Sequence, residues 1–417
     1  MTDAGLNAVS VAAGPVARGS LARVGVATAV SALCGYGVLY LAARRLEPAG
    51  FAVFGVFWGA FGLVTGAANG LLQEATREVR STGSAPASRG PHTRPMRVAV
   101  GVGMAAAVAI AGTSALWAPR VFAESRPLSV ALLAAGLAGF CMHATLLGML
   151  AGSGRWSHYG ILMVTDAATR LALAVTATLS GWGLAGFLWA TVGGSLAWLL
   201  LLMLSPTARA AAQIRTAGVF SGFLRGAAHS IAAAAASAIL VMGFPVLLKA
   251  TSGQLGAAGG VVILAVTLTR APLLVPMTAM QGNLIAHFVD HRSSRLRALL
   301  GPAAIIGGLG AVGVLAALLI GPWALRVGFG PEYVTTGVLL AWLTAGAVSI
   351  AMLTLTGAAA VAAALHRAYA LGWVGATVVA AVLLSLPMPL ETRTVLALLC
   401  GPLVGIAMHL TALARAG

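Results

Sequence analysis

The sequence predicts an all-α polytopic membrane protein, with 12 transmembrane helices in two pseudo-symmetric six-helix lobes around a central cavity. Three observations predict it. Of 417 residues, 59% are hydrophobic and only 8% charged, with a mean hydropathy of +0.96. A soluble domain carries about 25% charged residues, so this chain has too few polar groups to wet a surface. Its apolar runs recur at bilayer-spanning length, and its second half repeats its first.

In chain order the runs, read between charge, Pro and Gly punctuation, are 21–43, 51–73, 97–118, 128–151, 158–179 and 182–204. After a polar stretch with Arg209, Gln213 and Arg215 follow 222–249, 258–281, 297–320, 335–365, 368–388 and 393–414. Each reaches the roughly 20 residues that cross a hydrocarbon core. No small-residue cleavage site follows the first run, which reads as an uncleaved span. The run 335–365 is long enough for one tilted helix or two short ones; it is read as one, because the charge test for orientation works only with twelve. With both termini cytoplasmic, 16 of the 25 basic residues fall in inside links and 7 in outside links, with Arg170 and Arg270 inside spans. The positive-inside rule favours that orientation. Gln73 and Gln281 close the second and eighth spans and stand 208 positions apart, half the chain. Six spans per half give both lobes the same polarity about an axis along the membrane normal. The expected lobes are 1–208 and 209–417, with spans one, two, seven and eight lining the cleft.

Composition also excludes function classes. The net charge of +16 comes from scattered arginines and a single lysine, Lys249, so no basic face tracks phosphates and nucleic acid is not expected as a partner. Lys249 is followed by Ala250, which leaves no Walker lysine. Gly308 to Gly313 spells GxGxxG but lies within a span with no strand before it, so it is not read as a dinucleotide site. His143, His229 and His409 lack metal-like spacing to Cys or acid and read as packing residues. Cys34, Cys141 and Cys400 sit in apolar runs as reduced structural thiols. Nine acids spread along the chain with short links offer no catalytic constellation. Neither enzyme activity nor a cofactor or metal is expected.

The polar residues inside spans carry the functional reading. Gly55, Gly59, Gly62, Gly66 and Gly70 form one stripe on the second span, and Asn69 and Gln73 fall on it. Such a stripe serves tight helix packing, or the lining of a path for a bulky polar ligand. On the eighth span Arg270 and Gln281 share a face, with Pro272 and Pro276 interrupting the ladder between them. A mid-bilayer arginine costs about 2.5–3.5 kcal/mol even on the lenient insertion scale, so Arg270 faces a partner or water rather than lipid. Asp166 and Arg170 stand at i and i+4, either as a self-neutralising pair or with Asp166 holding Arg170 beside a polar cavity as a candidate proton-coupling residue. Arg23 and Arg225 begin the first spans of the two halves at headgroup depth, where they suit either anchoring or capture of a phosphate group. A two-lobed bundle with buried arginines reads as a transporter of an anionic substrate.

The stretch from Ala42 to Trp58 (AARRLEPAGFAVFGVFW), running on to Asn69-Gly-Leu-Leu-Gln-Glu74, resembles the first hairpin of Wzx-type polysaccharide flippases in the multidrug/oligosaccharidyl-lipid/polysaccharide exporter superfamily. Thr269-Arg-Ala-Pro-Leu-Leu274 with Gln281 is similar to their eighth span. The resemblance implies a cationic cavity that flips polyprenyl-diphosphate-linked oligosaccharides across the plasma membrane by alternating access, for cell-surface polysaccharide biosynthesis. The partners it implies are the lipid-linked glycan, membrane lipids, and the glycosyltransferases and polymerase of such a pathway. Three rivals stay open. A drug/cation antiporter of the same superfamily tends to carry acids in spans one or seven, and this chain has none there. A membrane glycan polymerase or ligase wants a large external loop with paired Arg and His. A non-transporting scaffold for cell-wall assembly is compatible with the same sequence.

Overall fold

The computed structural model describes residues 18–84, 91–122, 126–291 and 295–416. In chain order the elements are α1 (Arg18–Ser84), β1 (His92–Thr93), α2 (Pro95–Val121), α3 (Arg126–Gly152), α4 (Trp156–Leu179), α5 (Gly183–Gly193), α6 (Ala197–Leu204) and α7 (Pro206–Ala212). They continue with β2 (Thr216–Ala217), α8 (Phe220–Val241), α9 (Phe244–Ser252), α10 (Gly256–Asp290), α11 (Arg295–Ala298), α12 (Leu300–Leu319), α13 (Gly321–Phe329), α14 (Gly337–Ala362), α15 (His366–Leu384) and α16 (Leu390–Ala416). Among the described residues 11 helices are long and apolar enough to cross a membrane. The first of these is two helices joined at Glu47, whose backbone leaves the helical region at φ 55 and ψ 170. Pro48 disfavours helical geometry at the residue before it, and the chain reverses there. Among the described residues there are therefore twelve spans, and the run 335–365 holds one helix, Gly337–Ala362.

Contacts give the directions. In the first arm of α1, Arg23 Nη1 donates to Ser157 Oγ (3.1 Å) and Ser31 Oγ to Met163 O (3.3 Å), so this arm runs parallel to α4. In the second arm Thr76 Oγ1 donates to Gly148 O (3.2 Å), and Phe61 lies against Gly136, so this arm runs parallel to α3. Since a short turn through Ser153, Gly154 and Arg155 reverses the chain between α3 and α4, the two arms of α1 run in opposite directions as well. The face holding Glu47 and the face holding the N-terminus are thereby defined.

The halves repeat in detail. The α3–α4 turn uses Gly154 at φ 72, and the α14–α15 turn uses Ala364 at φ 60. Around them the same four main-chain bonds recur: Ser153 N to Met149 O, Gly154 N to Ala151 O, Arg155 N to Leu150 O and Tyr159 N to Arg155 O in the first turn. Ala363 N to Ala359 O, Ala364 N to Val361 O, Leu365 N to Ala360 O and Tyr369 N to Leu365 O form the second. Each half buries its fourth span, α3 and α14, and turns its third, α2 and α12, outward. The exposed Leu309, Val312, Leu319, Met104, Val108 and Leu116 belong to that outward surface, which suits a hydrocarbon solvent.

Two expected runs are interrupted, 182–204 by a single 3₁₀ turn at Gly194–Leu196 and 222–249 by a break. The run 222–249 divides into α8 and α9 at Met242 and Gly243. Pro245 has no N–H to donate to Val241 O, its i−4 carbonyl, so the ladder cannot pass it. The apolar composition continues across the break, and for that reason hydropathy does not register it.

Candidate functional site

The glycine stripe lies between the halves. A Cβ at Gly55 would sit 2.7 Å from Cγ2 of Ile263, one at Gly59 would sit 3.0 Å from the Pro245 ring, and one at Gly66 would sit 2.8 Å from Ala238 Cβ. At Gly70 it would land on the main chain of Ser230 and Ile231. With lipid as solvent, helices associate through close van der Waals contact rather than through expulsion of water. The stripe provides that contact against α8, α9 and α10. At the Glu47 end, Tyr333 Oη donates to Ala43 O (3.0 Å) across the halves. Its ring also meets Phe51, with centroids 6.4 Å apart, and Tyr40 meets Phe329 at 5.7 Å.

Beneath this aromatic roof a cavity of about 180 Å³ is lined by both arms of α1, the α8–α9 break and α10. These are spans one, two, seven and eight. Tyr36, Trp58, Met242, Thr267 and Arg270 line it, and no lining residue is acidic. Ligand pockets for drug-sized molecules run from about 300 Å³ upward, so the cavity in this conformation admits a small anionic group rather than a whole glycolipid.

Arg270 is 7% exposed. Its Nη1 donates to Val241 O at 3.0 Å and more weakly to Leu240 O at 3.5 Å. These are the last carbonyls of α8, and Val241 O is the one that Pro245 leaves without a donor. The negative pole of α8 thus offsets part of the arginine's charge. The guanidinium carbon also lies 4.9 Å from the Phe244 ring centroid, a further favourable cation contact. Nε and Nη2 make no hydrogen bond, and among the described residues no carboxylate pairs with Arg270. Two donors are therefore left unsatisfied beside the cavity, both closed off from solvent in this conformation.

Arg170 differs. Its Nη2 donates to Asp166 Oδ1 (2.8 Å) and its Nε to Asp166 Oδ2 (3.1 Å), while Nη1 donates to Thr191 O. The guanidinium carbon lies 5.2 Å from the Phe61 centroid. Gly194 lets the pair approach α5 and the turn after it, because a Cβ there would sit 2.5 Å from Asp166 Oδ1. Arg170 is thereby engaged by protein at each of its nitrogens, and it does not line the Arg270 cavity. With the pair only 12% and 18% exposed, Asp166→Asn strands a buried cation and is expected to cost about 3 kcal/mol. The double variant Asp166→Asn, Arg170→Met is expected to melt above the single one in detergent, because it removes that cation.

The other expected site residues lie elsewhere. Asn69 is half-buried and Gln73 exposed on the second arm of α1 beyond the cavity. Beside them Glu74 is buried, accepts from Arg77 Nη2 at 2.6 Å, and sets its carboxylate against Gly226 of α8. Arg23 contacts Ser157 on the N-terminal face. Arg225, exposed in the first turns of α8, has its carbonyl bonded by His229 Nδ1 at 2.7 Å. Gln281 falls within α10, but its side chain lies outside the described residues. Three residues that sequence reasoning missed complete the site: Pro245, Phe244 and Tyr36. The one signal available was Pro245, four residues after Val241 in an otherwise continuous run.

Of the three histidines expected to pack, His143 and His409 do so, whereas His229 is exposed on α8. His409, fully buried, meets Thr356 Oγ1 at 3.0 Å and Tyr369 O at 3.2 Å. His143 stacks on Phe140 at 5.4 Å. Among the described residues no cluster of three His, Cys, Asp or Glu is placed to hold a metal.

The class follows from this geometry together with the solved structures it resembles: an all-α polytopic membrane fold of the MATE transporter type. It aligns with the inward-facing conformation of a multidrug resistance MATE family transporter of the MOP superfamily at a TM-score of 0.68. That match has 15% identity over 93% of this chain and 95% of the other. The outward-facing conformation of such a transporter aligns at 0.62, with 14% identity over 95% and 96% of the two chains. No family model matches the sequence. The chain is 71% identical over 403 residues to uncharacterized protein Mb3654 of Mycobacterium bovis, covering 96% of this chain and 94% of the relative. It is 68% identical over 415 residues to uncharacterized protein Rv1510 of Mycobacterium tuberculosis, covering 100% and 96%. The chain belongs to the family of these mycobacterial proteins.

Proposed function

We propose that this protein is an alternating-access transporter that flips an anionic, polyprenyl-diphosphate-linked oligosaccharide or related glycolipid across the plasma membrane. Its lobes, 1–208 and 209–417, would rock about the interface of α1 with α8 and α10, with both termini cytoplasmic. The observation that carries this reading is Arg270, a buried guanidinium that lines the cavity between the halves with two unsatisfied donors and, among the described residues, no carboxylate partner; opening of the cavity would expose those donors to a substrate. A diphosphate crossing the bilayer centre needs a countercharge there, because burial of an isolated anion is far costlier than the capture of one by a waiting cation. Arg270 offers a fork that matches phosphate oxygens. Asn69, Gln73, Gln281, Arg23 and Arg225 would then contact the substrate on its way to or from the cavity, and Arg170 with Asp166 would stiffen the N-terminal lobe.

A drug/cation antiporter is the second reading, favoured by the multidrug transporters that share the fold. The two readings differ in the sign of the substrate's charge. Purified protein in liposomes would be offered a fluorescent short polyprenyl-diphosphate sugar and, separately, ethidium. Faster transbilayer movement of the diphosphate lipid than in protein-free liposomes, with no ethidium accumulation, is the expected result. Ethidium transport without diphosphate movement would replace the proposal with its rival.

A further inference from the structure

The N-terminal face carries a second cationic geometry, remote from the cavity and independent of the transport reading. β1, in the link between the second and third spans, pairs antiparallel with β2, in the link between the halves, with His92 opposite Ala217 and Thr93 opposite Thr216. The next pair in this register is Arg94 and Arg215. Like charges set directly across two strands destabilise the pairing unless an anion lies between them.

The frame that imposes this juxtaposition is well fixed. Gly218 N donates to Pro91 O (2.8 Å), Thr93 Oγ1 to Gly218 O (2.9 Å) and Ala217 N to Thr82 Oγ1 (3.2 Å), and Thr93 and Thr216 are buried. Arg94 is also the N-cap of α2, makes no side-chain cap, and precedes a first turn that holds Arg97 and no acid. Helix starts favour acids, since the macrodipole is positive there, so three guanidinium groups and a helix pole of the same sign converge. The neighbouring guanidinium of Arg215, and then that of Arg97, pull the pKa of Arg94 below the ordinary arginine value. All three side chains are exposed, and among the described residues none pairs with a carboxylate.

We propose that Arg94, Arg97 and Arg215 form a binding site for the phosphate of a lipid headgroup. Arg94 immediately precedes the span Pro95–Val121, which puts the cluster at headgroup depth, where juxtamembrane arginines meet anionic lipid. A phosphomonoester or diphosphate carries the charge to neutralise two guanidinium groups, and its oxygens accept their forked donors. The bound headgroup ties the link between the halves to the start of the third span.

The test is thermal unfolding of the full chain in phosphatidylcholine nanodiscs with and without phosphatidic acid. Phosphatidic acid is expected to raise the melting temperature of the unsubstituted protein. Arg215→Gln is expected to melt above that protein in pure phosphatidylcholine, through relief of repulsion, and to lose most of the phosphatidic acid shift. Arg367→Gln removes one cation from the first turn of α15 on the same face and is expected to keep the shift. No shift in the unsubstituted protein, or an equal shift in Arg94→Gln, Arg215→Gln, would overturn the site. Inorganic diphosphate in lipid-free buffer is expected to give less than half the lipid's shift; an equal effect would reassign the site to a soluble anion.

Discussion

Arg270→Ala is expected to slow transbilayer movement of the diphosphate lipid by about 10- to 150-fold. That is the rate equivalent of one or two charge-assisted hydrogen bonds worth about 1.5–3 kcal/mol. The complication is that Arg270 also supplies the donor that Pro245 denies to Val241 O. Leaving that carbonyl unsatisfied in an apolar site costs about 1–3 kcal/mol, so lost transport could follow from a loosened α8–α9 break. Two further variants separate the roles. Arg270→Met keeps the volume and removes the charge. Adding Pro245→Ala returns an N–H at position 245 and lets the ladder satisfy Val241 O. The pair Arg270→Met, Pro245→Ala is therefore expected to recover the melting temperature but not the transport, whereas Arg270→Lys, which keeps a cation without the fork, is expected to retain part of the transport. Recovery of transport in the charge-free pair would show that Arg270 acts only as a cap.

How far the sequence reaches depends on the range of the interaction involved. The spans were legible because the bilayer imposes their length locally, and the 31-residue run resolves into one helix, Gly337–Ala362. Gln73 and Gln281 predict a repeat at 208 positions, and the matching turns at Gly154 and Ala364, with the same hydrogen bonds, recur at 210. Arg270 was legible because an arginine in mid-span is too costly to face lipid. Its main-chain acceptors were not, since they belong to another helix and exist only because Pro245 breaks it. Arg170 was ambiguous on the same grounds: the i, i+4 spacing gives Asp166, but the third bond, to Thr191 O, comes from α5. The Arg94–Arg215 juxtaposition had no local signal at all. It depends on two short strands far apart in sequence, each too short for a period-two pattern.

Gly70→Ala is expected to have the largest effect of any single methyl group in the second arm of α1. The added carbon meets main-chain atoms of Ser230 and Ile231, which cannot rotate aside as the Met242 side chain can beside Gly62, where the nearest approach is 3.3 Å. Overpacking against a helix backbone costs about 1–3 kcal/mol, met by displacing one helix from the other. The same change at Gly35, in the first arm with nothing within 4 Å, is expected to gain a few tenths to 1 kcal/mol from helix propensity. The helices that part at Gly70 are those whose separation would open the N-terminal face, so the substitution acts on the conformational equilibrium as well as on stability. In a background with Cys34, Cys141 and Cys400 replaced by Ala, the probe is Ala227→Cys on α8, a fully buried position. Its labelling by a membrane-impermeant maleimide, in detergent-free nanodiscs, is expected to rise several-fold with Gly70→Ala and to stay unchanged with Gly35→Ala. Equal labelling and equal melting temperatures for the two would mean that α1 and α8 do not meet through Gly70 in the resting protein.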